Sequence, residues 1–105
     1  MTELILLFQA DHDIQAAFER YEDYQEGRGE VFMRQLDAVL TLLRRHPELA
    51  PVYTGPYRRM LIREFPYGVF YQAQPTRVVV AAIMDLRQDP QNIRRKLFGA
   101  GSGAS

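Results

Sequence analysis

The sequence has no cysteine and no tryptophan, a single lysine, and serine only at Ser102 and Ser105. Without cysteine there is no disulfide framework, no thiol catalysis and no zinc site built on thiolate. With both serines near the C-terminus, a serine nucleophile held in a rigid triad is excluded. Long apolar runs are also missing. The longest, Leu4 to Phe8 and Val78 to Met84, fall far short of the roughly 18 residues that span a bilayer, so no membrane association is expected. Met1-Thr2-Glu3 places an acid where a signal peptide needs a basic flank, and the expected location is the cytoplasm. Histidine occurs only at positions 12 and 46. The pair lacks i, i+4 spacing and an adjoining set of acids, so neither a metal site nor a cofactor is expected. Gly27 and Gly29 follow a helical pattern and precede no Lys-Ser pair, which removes a phosphate-cradling loop.

What is present suits one small domain: 105 residues give one core and room for a single site. The 13 basic and 13 acidic side chains cancel, but residues 1–50 hold ten acids against five bases and residues 51–105 three against eight, so the halves stand near −5 and +5. All the bases except Lys96 are arginine, which makes the basic half a set of flat, forked, permanently charged donors. Such a half either meets an acidic partner or neutralises the other half within the fold. Overall neutrality argues against indiscriminate nucleic-acid binding.

The continuous run Leu4 to Phe8 suits a central strand covered on both faces. Asp11 and Asp13 are placed to cap a helix, whose apolar stripe is Ile14, Ala17, Phe18, Tyr21 and Tyr24. Glu22, Asp23 and Glu26 fall on its solvated side. After Gly27-Arg28-Gly29 a second stripe runs through Phe32, Leu36, Val39, Leu40 and Leu43 and stops at Pro47, which predicts an antiparallel helix hairpin. Pro47 to Pro56 reads as a loop. The period then changes to two: over Arg58 to Phe65, one face takes Arg59, Leu61, Arg63 and Phe65, and the other takes Arg58, Met60, Ile62 and Glu64. Pro66-Tyr67-Gly68 turns the chain, Val69 to Gln74 forms a strand, and Arg77 to Met84 is apolar on both faces. Asp89-Pro90 opens a short helix through Ile93 and Leu97, with Arg94, Arg95 and Lys96 outward.

The predicted class is α+β: a strand, the helix hairpin, an antiparallel meander of three or four strands packed on it, and a short C-terminal helix. The hairpin covers one sheet face and leaves the other free. The domain is expected to run from 1 to 98, with 99–105 a flexible tail of small residues. Arg59 and Arg63, at i and i+4 on one strand, lie roughly 13 Å apart, which suits successive charges on an extended acidic chain. Arg87 follows the last strand, and Tyr67 and Tyr71 lie between.

In this order, Phe18-Glu19-Arg20-Tyr21, the stripe from Phe32 to Leu43, His46-Pro47-Glu48, Arg58 through Arg63-Glu64-Phe65-Pro66-Tyr67, Val78 to Ile83 and Arg87-Gln88-Asp89-Pro90 resemble the RelE/ParE toxin superfamily over nearly the whole chain. The resemblance implies the toxin of a bacterial type II toxin–antitoxin pair, neutralised by a cognate antitoxin whose C-terminal segment wraps it, and it allows a homodimer within that complex. One branch of the superfamily cleaves messenger RNA on the ribosome, and the other poisons DNA gyrase. Cleavage through a 2′-hydroxyl needs a proton acceptor, a proton donor and cations, and this chain supplies chiefly cations. Where many relatives carry histidine two residues before the Arg87 position, it has Asp85, a poor base at neutral pH if it titrates at the ordinary value of about 4. The Phe-Pro-Tyr segment is more typical of ParE-like members.

The favoured expectation is therefore a gyrase inhibitor whose target- or antitoxin-binding residues are Arg59, Leu61, Arg63, Phe65, Tyr67, Tyr71, Arg87, Arg94, Arg95 and Lys96. The alternative is a ribosome-dependent endoribonuclease using Arg59, Arg63 and Arg87 on phosphate, with Tyr71, Tyr67 or Asp85 in proton transfer. An inactive interaction module that keeps only the antitoxin-like partner is the third reading.

Overall fold

In the computed structural model, which describes residues 2–103, the helix hairpin forms where the 3.6-residue period and the glycines put it. Helix α1 spans Phe8–Tyr24 and α2 spans Arg28–Arg45. The turn depends on Gly27, at φ +85°, and on Gly29, where a Cβ would come 2.8 Å from Phe18 Cε2. The first is a backbone conformation that side chains disfavour, and the second is a close approach of the two helices. Glu22 is more than a solvated acid. Its carboxylate accepts the Gly27 and Gly29 N–H groups, each at 3.0 Å, and so satisfies donors that the first turn of α2 leaves free.

The start of α1 differs from expectation. Asp11 and Asp13 do not cap it: the N-cap is Leu7, with no side-chain bond. Strand β1, Glu3–Leu6, ends in a Leu7 N–H bond to the Val80 carbonyl, and the helix begins at once.

Four further strands follow: β2 Val52–Thr54, β3 Tyr57–Leu61, β4 Tyr67–Ala73 and β5 Arg77–Asp85, in the sheet order β1-β5-β4-β3-β2. β1 is thus an edge strand, parallel to β5 with Leu4 opposite Val78, and not central. Its run is apolar because each face is partly covered: Leu4 packs against the hairpin-side core and Leu7 against the core on the opposite face, while Leu6 stays exposed. Phe8, the end of the run, belongs to the helix and is 89% exposed. β2 lies inside the proline-rich stretch expected to be loop, and at three residues it is too short to show a period.

β3 also stops earlier than the alternation suggests. The Ile62 N–H bonds to the Tyr67 carbonyl at 2.9 Å, so the chain turns there, with Glu64 at φ +72°. Arg63 lies in this turn and not beside Arg59, while Phe65 folds back into the core. Between β4 and β5 the register shifts: Phe70 faces Ala82 but Tyr71 faces Val80. Ala81 is the extra residue of a bulge that bends β5.

The hairpin-side core joins Ile14, Ala17, Phe32, Leu36 and Leu43 to Val69, Tyr71, Val78, Val80 and Ile83. Its end is an aromatic cluster in which Phe32 packs edge-on to Phe65 and Tyr67 at 5.2 and 5.5 Å and stacks on Tyr21 at 5.6 Å. The opposite sheet face is not free, as the sequence suggested. Helix α3, Pro90–Gly103, lays Ile93 and Leu97 on Tyr57, Phe70, Ala81, Ala82 and Met84, and the Tyr57 hydroxyl donates to the Leu97 carbonyl at 3.0 Å. Helix α3 as described runs on from residue 98 to Gly103. The last two residues of the expected tail lie outside the described residues.

Candidate functional site

Antiparallel pairing places Tyr67, the first residue of β4, opposite Asp85, the last of β5. Arg20 of α1 reaches this end of the sheet: its Nη1 donates to the Tyr67 hydroxyl at 3.2 Å and lies 3.6 Å from Asp85 Oδ2. Arg87 grips the same carboxylate with Nε at 3.0 Å, Nη2 at 2.7 Å and its backbone N–H at 2.9 Å. A cleft of about 270 Å³ opens beside the cluster between α1 and the start of α3, lined by Asp13, Arg20, Tyr67, Asp85, Gln88 and Lys96. The Lys96 ammonium donates to Gln88 Oε1 at 3.1 Å.

These contacts fix the protonation states. The Arg87 guanidinium holds Asp85 below the ordinary carboxylate range, so Asp85 is an ion-paired anion and not a poised base. Burial pushes Tyr67 and Tyr71 up, so both hydroxyls keep their protons at neutral pH and neither is a ready proton acceptor. Tyr71 is also out of reach. It is fully buried on the hairpin side, with its hydroxyl donating to the Pro47 carbonyl at 2.8 Å. His12 and His46 are exposed, the first near the start of α1 and the second just past the end of α2. Among the described residues no group of three or more His, Asp or Glu is placed to hold a metal ion.

Asp13, expected to be a cap, instead accepts the Ile83 N–H at 3.0 Å. That donor belongs to β5 beyond the end of β1, where no strand partners it. Burial raises the Asp13 pKa despite this bond, so the ionised group opposes folding above its folded pKa, and the opposition fades as pH falls through that value. Asp13→Ala is expected to cost about 1–3 kcal/mol by orphaning the Ile83 N–H. Asp13→Asn keeps an acceptor without the charge and should lie within about 0.5 kcal/mol of wild type at pH 7. Urea titrations across pH check both values, and wild type should gain on Asp13→Asn as the solution is acidified.

The rest of the sequence-derived set divides by location. Phe65 and Tyr67 are both buried in the aromatic cluster. Arg59 and Leu61 lie on the face that α3 partly covers, with the Arg59 guanidinium 4.7 Å above the Tyr53 ring and Leu61 57% exposed. Arg63, Arg94, Arg95 and Lys96 are exposed. Among the described residues neither Arg59 nor Arg63 has a carboxylate within salt-bridge distance, whereas Arg58 pairs with Glu48 and Arg87 with Asp85. The sequence reading missed Arg20, Asp13 and Tyr53. For the first two a signal existed, because positions 13 and 20, seven apart, share a helix face with buried Ala17.

An arginine-bearing sheet packed on a helix hairpin gives the α+β architecture of the RelE/ParE superfamily. The model of the ParE toxin family, described as the ParE toxin of the type II toxin–antitoxin system parDE, matches residues 4–90, and the chain belongs to that family. No curated protein matches it significantly. Among solved structures, the fold is shared with a chain of the "Chromosomal ParDE TA system from P. aeruginosa": TM-score 0.73 at 12% identity, over 83% of this chain and 98% of that one. As the toxin of a type II pair, the chain has a cognate antitoxin as its partner. Among the described residues no helix is long and apolar enough to cross a membrane.

Proposed function

We propose that this toxin inhibits DNA gyrase in the cytoplasm by binding it, without breaking a bond, and that the cognate antitoxin neutralises it by covering its surface. The observation that carries this reading is that four of the residues expected to act in cleavage, Asp85, Tyr71, Arg63 and Arg59, do not come together with a free proton acceptor among them. Asp85 is neutralised by Arg87, Tyr71 is buried against the hairpin, Arg63 sits in a turn, and Arg59 stacks on Tyr53. General acid–base catalysis needs donor and acceptor within hydrogen-bond reach of one reacting atom, and these side chains do not converge. The arginines without carboxylate partners instead suit recognition of an acidic protein surface.

The test is a supercoiling assay with purified gyrase and the chain freed of its antitoxin. Dose-dependent loss of supercoiling, reversed by adding the antitoxin, is the expected result. Unchanged supercoiling at saturating toxin would overturn the proposal.

A further inference from the structure

The cleft between α1 and the start of α3 has an uneven supply of hydrogen-bonding groups. Its side-chain acceptors are taken. Asp13 Oδ1 holds the Gln9 amide at 2.8 Å and Oδ2 holds the Ile83 N–H at 3.0 Å. Both oxygens of Asp85 hold Arg87, and Gln88 Oε1 holds the Lys96 ammonium. Donors are left over. Arg20 uses only Nη1, on the Tyr67 hydroxyl and beside Asp85, so its Nε and Nη2 have no partner among the described residues. The Tyr67 hydroxyl accepts that bond, and its own proton has no acceptor among the described residues. Burial keeps this proton in place at neutral pH. Lys96 commits one of its three N–H groups to Gln88.

The charges are uneven in the same sense. Arg87 cancels Asp85, which leaves Arg20 and Lys96 against Asp13 and a net charge near +1 at the cleft. Among the described residues a single ion pair, Arg58 with Glu48, joins a base of residues 51–105 to an acid of residues 1–50. Contacts within the fold therefore leave most of the basic half unanswered. An opening of about 270 Å³ with spare donors, no spare side-chain acceptor and one unbalanced positive charge is complementary to a single carboxylate. A phosphate monoester brings nearly two negative charges, and the second would face Asp13 and Asp85 unpaired.

We infer that the cleft is the socket for one acidic side chain of the antitoxin, whose carboxylate is taken by the Tyr67 O–H, the Arg20 guanidinium and the Lys96 ammonium. The antitoxin is the partner that family membership gives this chain, so the inference rests on that membership and not on the gyrase reading. The three donors stand on α1, β4 and α3. A carboxylate seated among them ties the hairpin, the sheet and the C-terminal helix to one side chain of the partner.

The test measures the affinity of the purified toxin for its cognate antitoxin by calorimetry, with thermal melting as the folding control. Lys96→Glu reverses the charge at an exposed position and is expected to weaken binding by about 30-fold or more. Tyr67→Phe keeps the ring in its aromatic cluster and removes only the donor; about a 10-fold loss is expected, the scale of a hydrogen bond to a charged group. Each acid of the antitoxin is then replaced by lysine in turn. One such replacement should restore binding to Lys96→Glu, which identifies the side chain that enters the cleft. Wild-type affinity in both toxin variants would overturn the inference. So would a loss that no lysine replacement restores, because the missing contact would then not be a carboxylate's. If the variants hold the antitoxin normally but no longer inhibit gyrase, the cleft serves the target: the inference is overturned and the gyrase reading stands.

Discussion

Phe32→Ala is expected to lower the free energy of unfolding by about 4 kcal/mol, within the range for emptying a fully buried aromatic site. Phe32 is inaccessible to solvent and touches the rings of Tyr21, Phe65 and Tyr67 at centroid distances of 5.2 to 5.6 Å. Three elements therefore lose contacts at once: α1, the β3–β4 turn and β4. The loss combines transfer of the ring to water, the cavity left behind and the edge-to-face contacts, each of the latter contributing about 0.5–1.5 kcal/mol beyond area burial. A domain of this size has about 5–15 kcal/mol in total, so the variant should lose a quarter or more of its stability. Urea denaturation read by tyrosine fluorescence measures it. A cost below about 1 kcal/mol would mean that the cluster is looser than its geometry indicates.

Leu97→Ala is the second large effect, with an expected cost of about 3 kcal/mol. Leu97 is fully buried between α3 and the outer sheet face, and its carbonyl accepts the Tyr57 hydroxyl. If α3 is part of the cooperative fold, the cost appears in global unfolding, and exchange of the β4 amides speeds up together with that of α3. If α3 only rests on the surface, global stability changes little and exchange rises in α3 alone. The structure predicts the first outcome, because the α3 side chains complete a second core with Tyr57, Phe70 and Met84.

The helix hairpin was legible because its information is local. Phe32, Leu36, Val39 and Leu43 repeat at helical spacing and are all buried, and Gly27 and Gly29 mark the turn by the one property that separates glycine from the rest. The meander was legible for the same reason wherever alternation persists. It misled after Leu61, where Arg63 and Glu64 continue the pattern of two while the Ile62–Tyr67 bond turns the chain. The position of β1 was not legible at all. A run apolar on both faces reports that both are covered, not which strands flank it, and here the cover comes from the hairpin on one side and from the α3-side cluster on the other.

The candidate site was legible as a list of residue types and not as an arrangement. Arg59 and Leu61 were found together on one face, but the covering of most of that face by α3 is a tertiary fact carried by Ile93 and Leu97, whose spacing says only that some surface receives them. Likewise, nothing within the Asp85-Leu86-Arg87 segment reveals that Arg20, more than sixty residues away, joins the same carboxylate. Tyr71 illustrates the converse. An aromatic residue with a polar tip reads equally as a surface contact or as a core residue tied to a carbonyl, and the bond to Pro47 decides for the core.

The claim that the protein acts by binding meets its most direct test in a ribosome programmed with a defined message and incubated with the purified toxin. Full-length message after prolonged incubation is the predicted result, because Asp85 is held as an ion pair with Arg87 and Tyr71 is buried. Cleavage at the ribosomal A site that disappears in an Arg87→Ala variant would contradict it.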